Sequence, residues 1–370
     1  MKKSALLGII VTAFSLVSCG GSNSIPHDIV LPGSLQAYTP PSYVAGTEEL
    51  AAFVAINSYR TSMGLGAWQQ SIYLDKAAQN HMAYSVANCH GSVTPFTDDL
   101  ESACPSNPNL SSGATPSARA IAVGYSYLTN TVTATNVPTA SVGELYATGS
   151  ATTNGSGLDF INSMVNTIYH RSGLLTQATV QMGLARDTAG TITPATPTHW
   201  WISHGRLTGS QSVSSNYVGV YPLNNQLSVP LSMTPEYPSV YSNVPNFNFA
   251  TSTSSPVSIT LSSLVNILVA SFTVTPATCA TAPCTALPGK IWTMSNDPNL
   301  NTADYSAATT NLITAPNPVP TIPGNEAFWV GTAPFLPNTT YNVSVTGTTY
   351  LIPYAVTNPI TQTWSFTTGS

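Results

Sequence analysis

A change of hydrophobic period near residue 210 constrains this 370-residue chain more than any other feature. Before it, apolar residues recur at helical spacing. Thr47 reads as an N-cap with Glu48 and Glu49 in the first turn behind it, and Leu50, Phe53 and Val54 follow on one helical stripe. A second helix is predicted from about Ser71, with Leu74, Ala77, Ala78 and His81 on one face. A third starts near Leu158 and carries Ile161, Met164, Val165 and Ile168. Residues 179–186 alternate Val180, Met182 and Leu184 inward, and residues 199–204 read as an aromatic strand. After residue 210 the helical stripes stop. Pro-punctuated β-branched runs take over at residues 257–261, 341–345 and 363–368, and short strands of this kind fold as a β-sandwich. The expectation is an α+β chain with a mixed unit over residues 46–208 and an all-β unit over residues 212–370.

The first residues have the order of an export signal. Lys2 and Lys3 precede an apolar run from Ala5 to Leu16, and the run ends in Leu16-Val17-Ser18-Cys19-Gly20. This run is shorter than the roughly 20 apolar residues of a membrane span. Its end resembles a bacterial lipobox, which implies a signal peptide over residues 1–18, cleavage before Cys19 and acylation of its thiol. Several acyl chains on one residue anchor a protein stably to a membrane. Gly20 offers no acidic signal for inner-membrane retention, so the expected location is the cell envelope, at an outer membrane where the cell has one, facing periplasm or exterior. Residues 19–45 are then a lipidated cysteine and a linker rich in Gly, Ser, Pro and Tyr.

Only 6% of the residues are charged. Removing the leader leaves 7 of the 9 basic residues against 14 acidic ones, a net of −7. Such a balance argues against nucleic acid as a partner. Cys89, Cys104, Cys279 and Cys284 remain after Cys19 is used for lipid, an even four in an oxidising compartment. Their two clusters fall in different halves, which favours Cys89 with Cys104 and Cys279 with Cys284. Spacing alone does not fix that connectivity.

No GxSxG elbow, HExxH pair, phosphate loop or dinucleotide glycine run is present. What the first half does carry is a series of short pieces in a familiar order. They are Asn57-Ser58-Tyr59-Arg60, Gly64-Leu65, Leu74 with Ala77-Ala78 and His81, Cys89-His90-Gly91, and Arg119 with Gly124-Tyr125. Val142-Gly143-Glu144, Tyr169-His170-Arg171 with Leu174-Leu175, residues 181–185 and His199-Trp200-Trp201 follow. Together these resemble a bacterial CAP domain, the SCP-like relatives of cysteine-rich secretory proteins, antigen 5 and plant pathogenesis-related proteins. That resemblance implies an α/β/α sandwich over residues 46–208 and a cleft gathering His90, Glu144 and His170. Pro337-Asn338-Thr339-Thr340-Tyr341 and the closing residues 364–368 resemble a bacterial Ig-like module, which implies an Ig-like sandwich over residues 212–370.

Two imidazoles and a carboxylate are a standard set for zinc or another divalent cation, with a fourth position open to water or ligand. Glu144 also stands in an apolar context, where a carboxylate needs a specific partner. The family pattern is incomplete. Leu145 replaces the Asn expected after the Glu, Met164 replaces a Trp, and the second Glu falls near Thr167 and is absent. Simpler roles stand beside the cleft: His170 as a helix cap bonded to a carbonyl, His90 as a loop residue, His81 as packing, and Arg171 as a brace for its turn. Residues 297–304 space Asp297, Asn299, Asn301 and Asp304 like the start of a calcium loop, but Thr302 and Ala308 stand where Gly and Glu belong, and Asn/Asp turn chemistry accounts for the run.

The expected function is binding of a ligand or divalent cation by an envelope-anchored lipoprotein, with lipid, glycan or a cell-surface molecule as ligand classes. A metal-assisted hydrolase, with Glu144 as ligand or general base, is the enzymatic alternative. Adhesion through the Ig-like module is the third.

Overall fold

The computed structural model describes residues 35–88, 113, 115–125, 127–130, 136–139, 141–149, 155–187, 198–206, 211, 213–236, 238–241, 243–279, 283–299, 322–351 and 357–370. Cys19, Cys89, His90 and Cys104 lie outside them.

The fold is mixed α+β. Its first unit is built on a four-stranded sheet ordered β1-β5-β6-β4, formed by Gln69–Gln70 (β1), Ser141–Gly149 (β4), Gln181–Asp187 (β5) and Thr198–Arg206 (β6). Tyr127–Asn130 (β2) and Asn136–Thr139 (β3) form a separate hairpin. Helices cover both faces of the main sheet. On one side lie α1 (Glu48–Ser62), α4 (Gly157–Val165) and α5 (Tyr169–Leu174), and on the other α2 (Ile72–Asn88) and α3 (Pro116–Ala122).

Local chemistry sets these elements. Thr47 caps α1, its hydroxyl accepting from Leu50 N at 3.3 Å, with Glu48 and Glu49 in the first turn. Its buried face is Ala52, Phe53, Ala55 and Ile56, while Val54, expected on the apolar stripe, points to solvent. At about 100° per residue, only one flank of Phe53 can face the sheet, and the 52/56 diagonal takes it. The other stripes hold: Leu74, Ala77, Ala78 and His81 of α2 are buried, as are Ile161, Met164, Val165 and Ile168. Trp200 and Trp201 are both buried because both sheet faces are covered. Trp200 stacks on Phe160 at 4.7 Å, and Trp201 meets His81 edge-on at 4.3 Å. Gly183 lets α2 approach β5, since a Cβ there would collide with the backbone of Leu74 and Asp75.

The second unit is two four-stranded sheets, ordered β10-β13-β14-β8 and β11-β12-β9-β7. The strands are Val218–Tyr221 (β7), Gln226–Val229 (β8), Val257–Leu261 (β9), Val265–Pro276 (β10), Gly289–Thr293 (β11), Glu326–Gly331 (β12), Thr340–Leu351 (β13) and Thr357–Thr368 (β14), with a short helix α6 at Phe249–Ser252. Residues of both sheets share one core, including Ile259, Val274, Trp329, Val343, Trp364 and Phe366. Cys279 and Cys284 form a disulfide, the pairing favoured by the separation of the two cysteine clusters.

The two units are joined by more than a linker. Ile168 and Tyr169 of the first pack with Met233, Val240, Trp292, Ile322, Phe328 and Val330 of the second in one apolar cluster. Tyr221 of β7 belongs to the first core, and Val213, Tyr217 and Leu223 pack against it. Gln177 spans the boundary, donating to Leu261 O at 2.6 Å and accepting from Ser263 N at 2.9 Å. The later part of the predicted N-terminal linker is also docked: Tyr43 donates to Asp75 at 2.5 Å, and Ser42 N donates to Gln70 at 2.6 Å. Among the described residues, no helix is long and apolar enough to cross a membrane.

Candidate functional site

Glu144 sits on β4, an end strand of its sheet, in register with Ser203 of β6. Its side chain is buried, and so is that of Arg119, which reaches it from α3. Nη2 of Arg119 donates to Oε2 of Glu144, Nε donates to Oε1 at 3.3 Å, and Ser203 Oγ donates to Oε1 at 3.0 Å. This is a two-pronged, charge-assisted pair. Arg119 is itself fixed by donating to Gly113 O at 3.0 Å. Burial pushes the Glu144 carboxyl above the ordinary carboxylate range, and Arg119 is the chief opposing influence. Thr115 caps the helix that carries Arg119, accepting from Ala118 N at 3.1 Å.

His170 lies in the first turn of α5. Its Nε2 contacts Tyr146 O at 3.1 Å and its Nδ1 contacts Glu236 Oε2 at 3.3 Å. Both partners are acceptors, so both bonds form together only when the ring carries two N–H groups. Glu236 also receives Ile168 N at 2.9 Å, Tyr169 N at 3.0 Å and His170 N at 3.4 Å. One carboxylate from the connecting segment therefore satisfies three orphan donors at the start of α5.

These placements keep Glu144 and His170 in separate bonding networks. Leu145 faces α5, where a Cβ on Gly173 would come within 2.8 Å of Leu145 Cδ2. By strand alternation Glu144 turns to the other face, toward α3. His170 reaches only the carbonyl of Tyr146 on that strand. Among the described residues, no group of three or more His, Cys, Asp and Glu side chains is arranged to hold a metal ion. His90, the third residue of the expected cleft, lies outside the described residues.

The other described histidines belong to the packing. His81 stacks on Tyr84 and meets Trp201 edge-on, and burial drives its pKa down to about 2. His199 Nδ1 meets the Tyr146 hydroxyl at 2.5 Å. His204 stacks on Trp68 at 5.2 Å, while Arg60 covers the same indole at 4.6 Å. Arg60 is anchored on Gly66 O, Leu174 O and Thr176 O at 2.8–2.9 Å. Arg171 donates to Val165 O at 2.6 Å, bracing its turn, and to Ser258 Oγ of the second unit at 3.1 Å.

Sequence reasoning did not find Glu236, Asp297 or Glu326 as partners of the first unit. Asp297 accepts from Tyr169 Oη at 2.6 Å, from Asn299 N at 2.9 Å and from Ile322 N at 2.7 Å. The Asn299 contact is the local Asx turn and the Ile322 contact lies within the second unit, while the Tyr169 bond knits the two units together. The signal available was that each carboxylate stands alone in a chain almost without charge.

A separate open cleft of about 700 Å³ lies between residues 42–49, α2 and β5. Tyr43, Gln70, Asp75, Met82, Arg186 and Asp187 are among its lining residues.

No model of a known protein family matches the chain, and no curated protein sequence matches it. Among solved structures, it is similar to an outer surface protein from Borrelia burgdorferi, at 15% identity and a TM-score of 0.31, over 45% of this chain and 97% of that one.

Proposed function

We propose that this chain is an envelope-anchored binding lipoprotein, lipidated at Cys19, with a CAP-type first domain and an Ig-like second one. Its work is recognition of a lipid, glycan or cell-surface ligand. The observation that carries this reading is the state of the candidate acid–base groups. Glu144 is buried against Arg119 and Ser203, and His170 is held between Glu236 and Tyr146 O. A general base needs a reachable proton and a poised pKa. Groups committed to fixed protein partners serve instead to hold a binding surface in shape.

A divalent cation in the His90, Glu144 and His170 cleft is part of the same proposal, and it has a defined requirement. The cation would have to draw Glu144 and His170, which approach β4 from opposite faces, to one point, and to replace Arg119 at Glu144 and the Tyr146 carbonyl at His170. Metal analysis of the purified full chain tests this beside His90→Ala and His170→Ala. Stoichiometric zinc lost in both variants supports a metal-dependent binder, and equal content in all three removes the metal. A hydrolase would show chelator-sensitive turnover abolished by Glu144→Gln. Turnover of that kind on an ester, peptide or glycan panel would overturn binding as the main role.

One observation favours adhesion through the second module as the alternative. The register of β10, β13 and β14 places Thr275, Asn342 and Ser365 in one row and Thr273, Ser344 and Thr363 in the next, an uncharged hydroxyl and amide array. Full-length chain carrying Ser344→Lys and Thr363→Glu would lose attachment to a glycan array if that face binds. Unchanged attachment returns the role to the first domain.

A further inference from the structure

We propose that Glu326 is a proton-sensitive latch on the contact between α5 and the β-sandwich, holding the two units together when protonated and loosening them when ionised. The proposal goes beyond ligand binding, since it concerns how the two units are held.

The geometry comes first. Glu326 opens β12 and pairs in register with Thr260 of β9, with its side chain buried at the junction. Its Oε2 makes no hydrogen bond. Ser172 and Arg171 of α5 are the groups that act on its charge, both favouring the ionised form. Arg171 cannot swing over to complete an ion pair without giving up its own ties. Nε is bonded to Val165 O, Nη1 to Ser258 Oγ, and the guanidinium lies 4.4 Å over the Tyr221 ring. Nη2 of Arg171 is also without a partner. The remaining groups that sense this charge are Tyr217 before β7, which faces Glu326, and Tyr59, Tyr221 and Glu236, which face Arg171.

An ionised carboxylate in this place has an unbonded oxygen in an apolar junction, which is a costly arrangement. A protonated one has a donor to offer and no charge to desolvate. Burial accordingly pushes the Glu326 carboxyl up to about 7 from an ordinary 4.5. The sign follows. The closed junction keeps its proton over a range where an opened, hydrated Glu326 has lost it. Closure is therefore favoured at and below pH 4.5, and that advantage is lost as pH rises through about 7.

The test is hydrogen exchange of the α5 backbone amides in the full chain from about pH 5 to pH 8, corrected for intrinsic exchange. The expected result is an opening constant that rises on the order of tenfold to a hundredfold over that range, and a clearly smaller rise in Glu326→Gln. The protonated carbonyl band in the infrared, titrating near neutrality in the wild type, provides a second reading that needs no variant. A pH-independent opening constant in the wild type, the same pH dependence in Glu326→Gln, or a Glu326 carboxyl already ionised at pH 5 would each overturn the proposal.

Discussion

The hydroxyl of Tyr169 donates a 2.6 Å hydrogen bond to the Asp297 carboxylate, joining residues 128 apart in the chain. Tyr169 is the first residue of α5, and Asp297 follows the 3-10 turn at Met294–Asn296. The bond lies beside the apolar cluster of Ile168, Trp292 and Phe328. It makes α5 a shared element of the two units.

Tyr169→Phe should therefore weaken the junction without emptying it, because the ring still fills the cluster. Asp297 keeps its bonds from Asn299 N and Ile322 N, so the loss is two hydrogen bonds, the one to Asp297 and the one the hydroxyl accepts from Asn299 Nδ2, about 2–3 kcal/mol. A lower urea midpoint at unchanged slope would show it. Because the units share this surface, one unfolding transition is expected for both, and two separate transitions would contradict the shared junction.

Arg119→Met should destabilise far more, since it leaves the Glu144 carboxylate buried without its cation. About 3–5 kcal/mol is the expected loss near neutral pH. The defect should shrink in acid, where Glu144 takes up a proton and no longer needs a counter-charge. Replacing both residues by apolar side chains should recover most of the loss. A thermal-melt double-mutant cycle at pH 5 and pH 8 measures all three statements together.

His204 makes stability depend on pH in the sense opposite to Glu326. Burial, with a contribution from nearby Arg60, lowers its pKa to about 4 from an ordinary 6.5, so the folded chain resists protonation that the unfolded chain accepts. The stabilisation is present above pH 6.5 and is lost as pH falls through about 4. It amounts to about 3 kcal/mol. Comparing urea midpoints of wild type and His204→Phe from pH 7 to pH 4 isolates this effect, because the Glu326 contribution is common to both chains. The gap between the two should change by that amount in favour of the variant as the pH drops.

The Cys279–Cys284 disulfide closes a short loop, with a sequence separation of 5. A loop of that length restricts the unfolded chain only modestly, so Cys279→Ser with Cys284→Ser should cost about 2 kcal/mol. The fold of the β-sandwich should survive. Loss of its near-ultraviolet circular dichroism in the double variant would show a larger role.

Much of the architecture is legible before any coordinates. The stripes Leu74-Ala77-Ala78-His81 and Ile161-Met164-Val165-Ile168, the alternation of Val180, Met182 and Leu184, and the change of period near residue 210 each correspond to a buried face. Arg119 and Glu144 were both visible as features, but their pairing was not. His170 was visible as a site candidate, while the carboxylate that holds it, Glu236, lies in a stretch with no periodicity at all.

Local side chains were enough to specify where the main helices and strands run, which side of most of them is apolar, and that a mixed unit precedes an all-β one. Those properties follow from the 3.6- and 2-residue periods of a single element. Packing in three dimensions was needed to match Glu144 with Arg119, to cap α5 with Glu236, and to bring Asp297 and Glu326 against the first unit. Each of these matches joins groups 25 residues or more apart in the chain. No local pattern specifies such a meeting, because an isolated carboxylate carries no period. Burial then requires every such charge to find a partner or hold a proton, and the packing of distant segments selects which one.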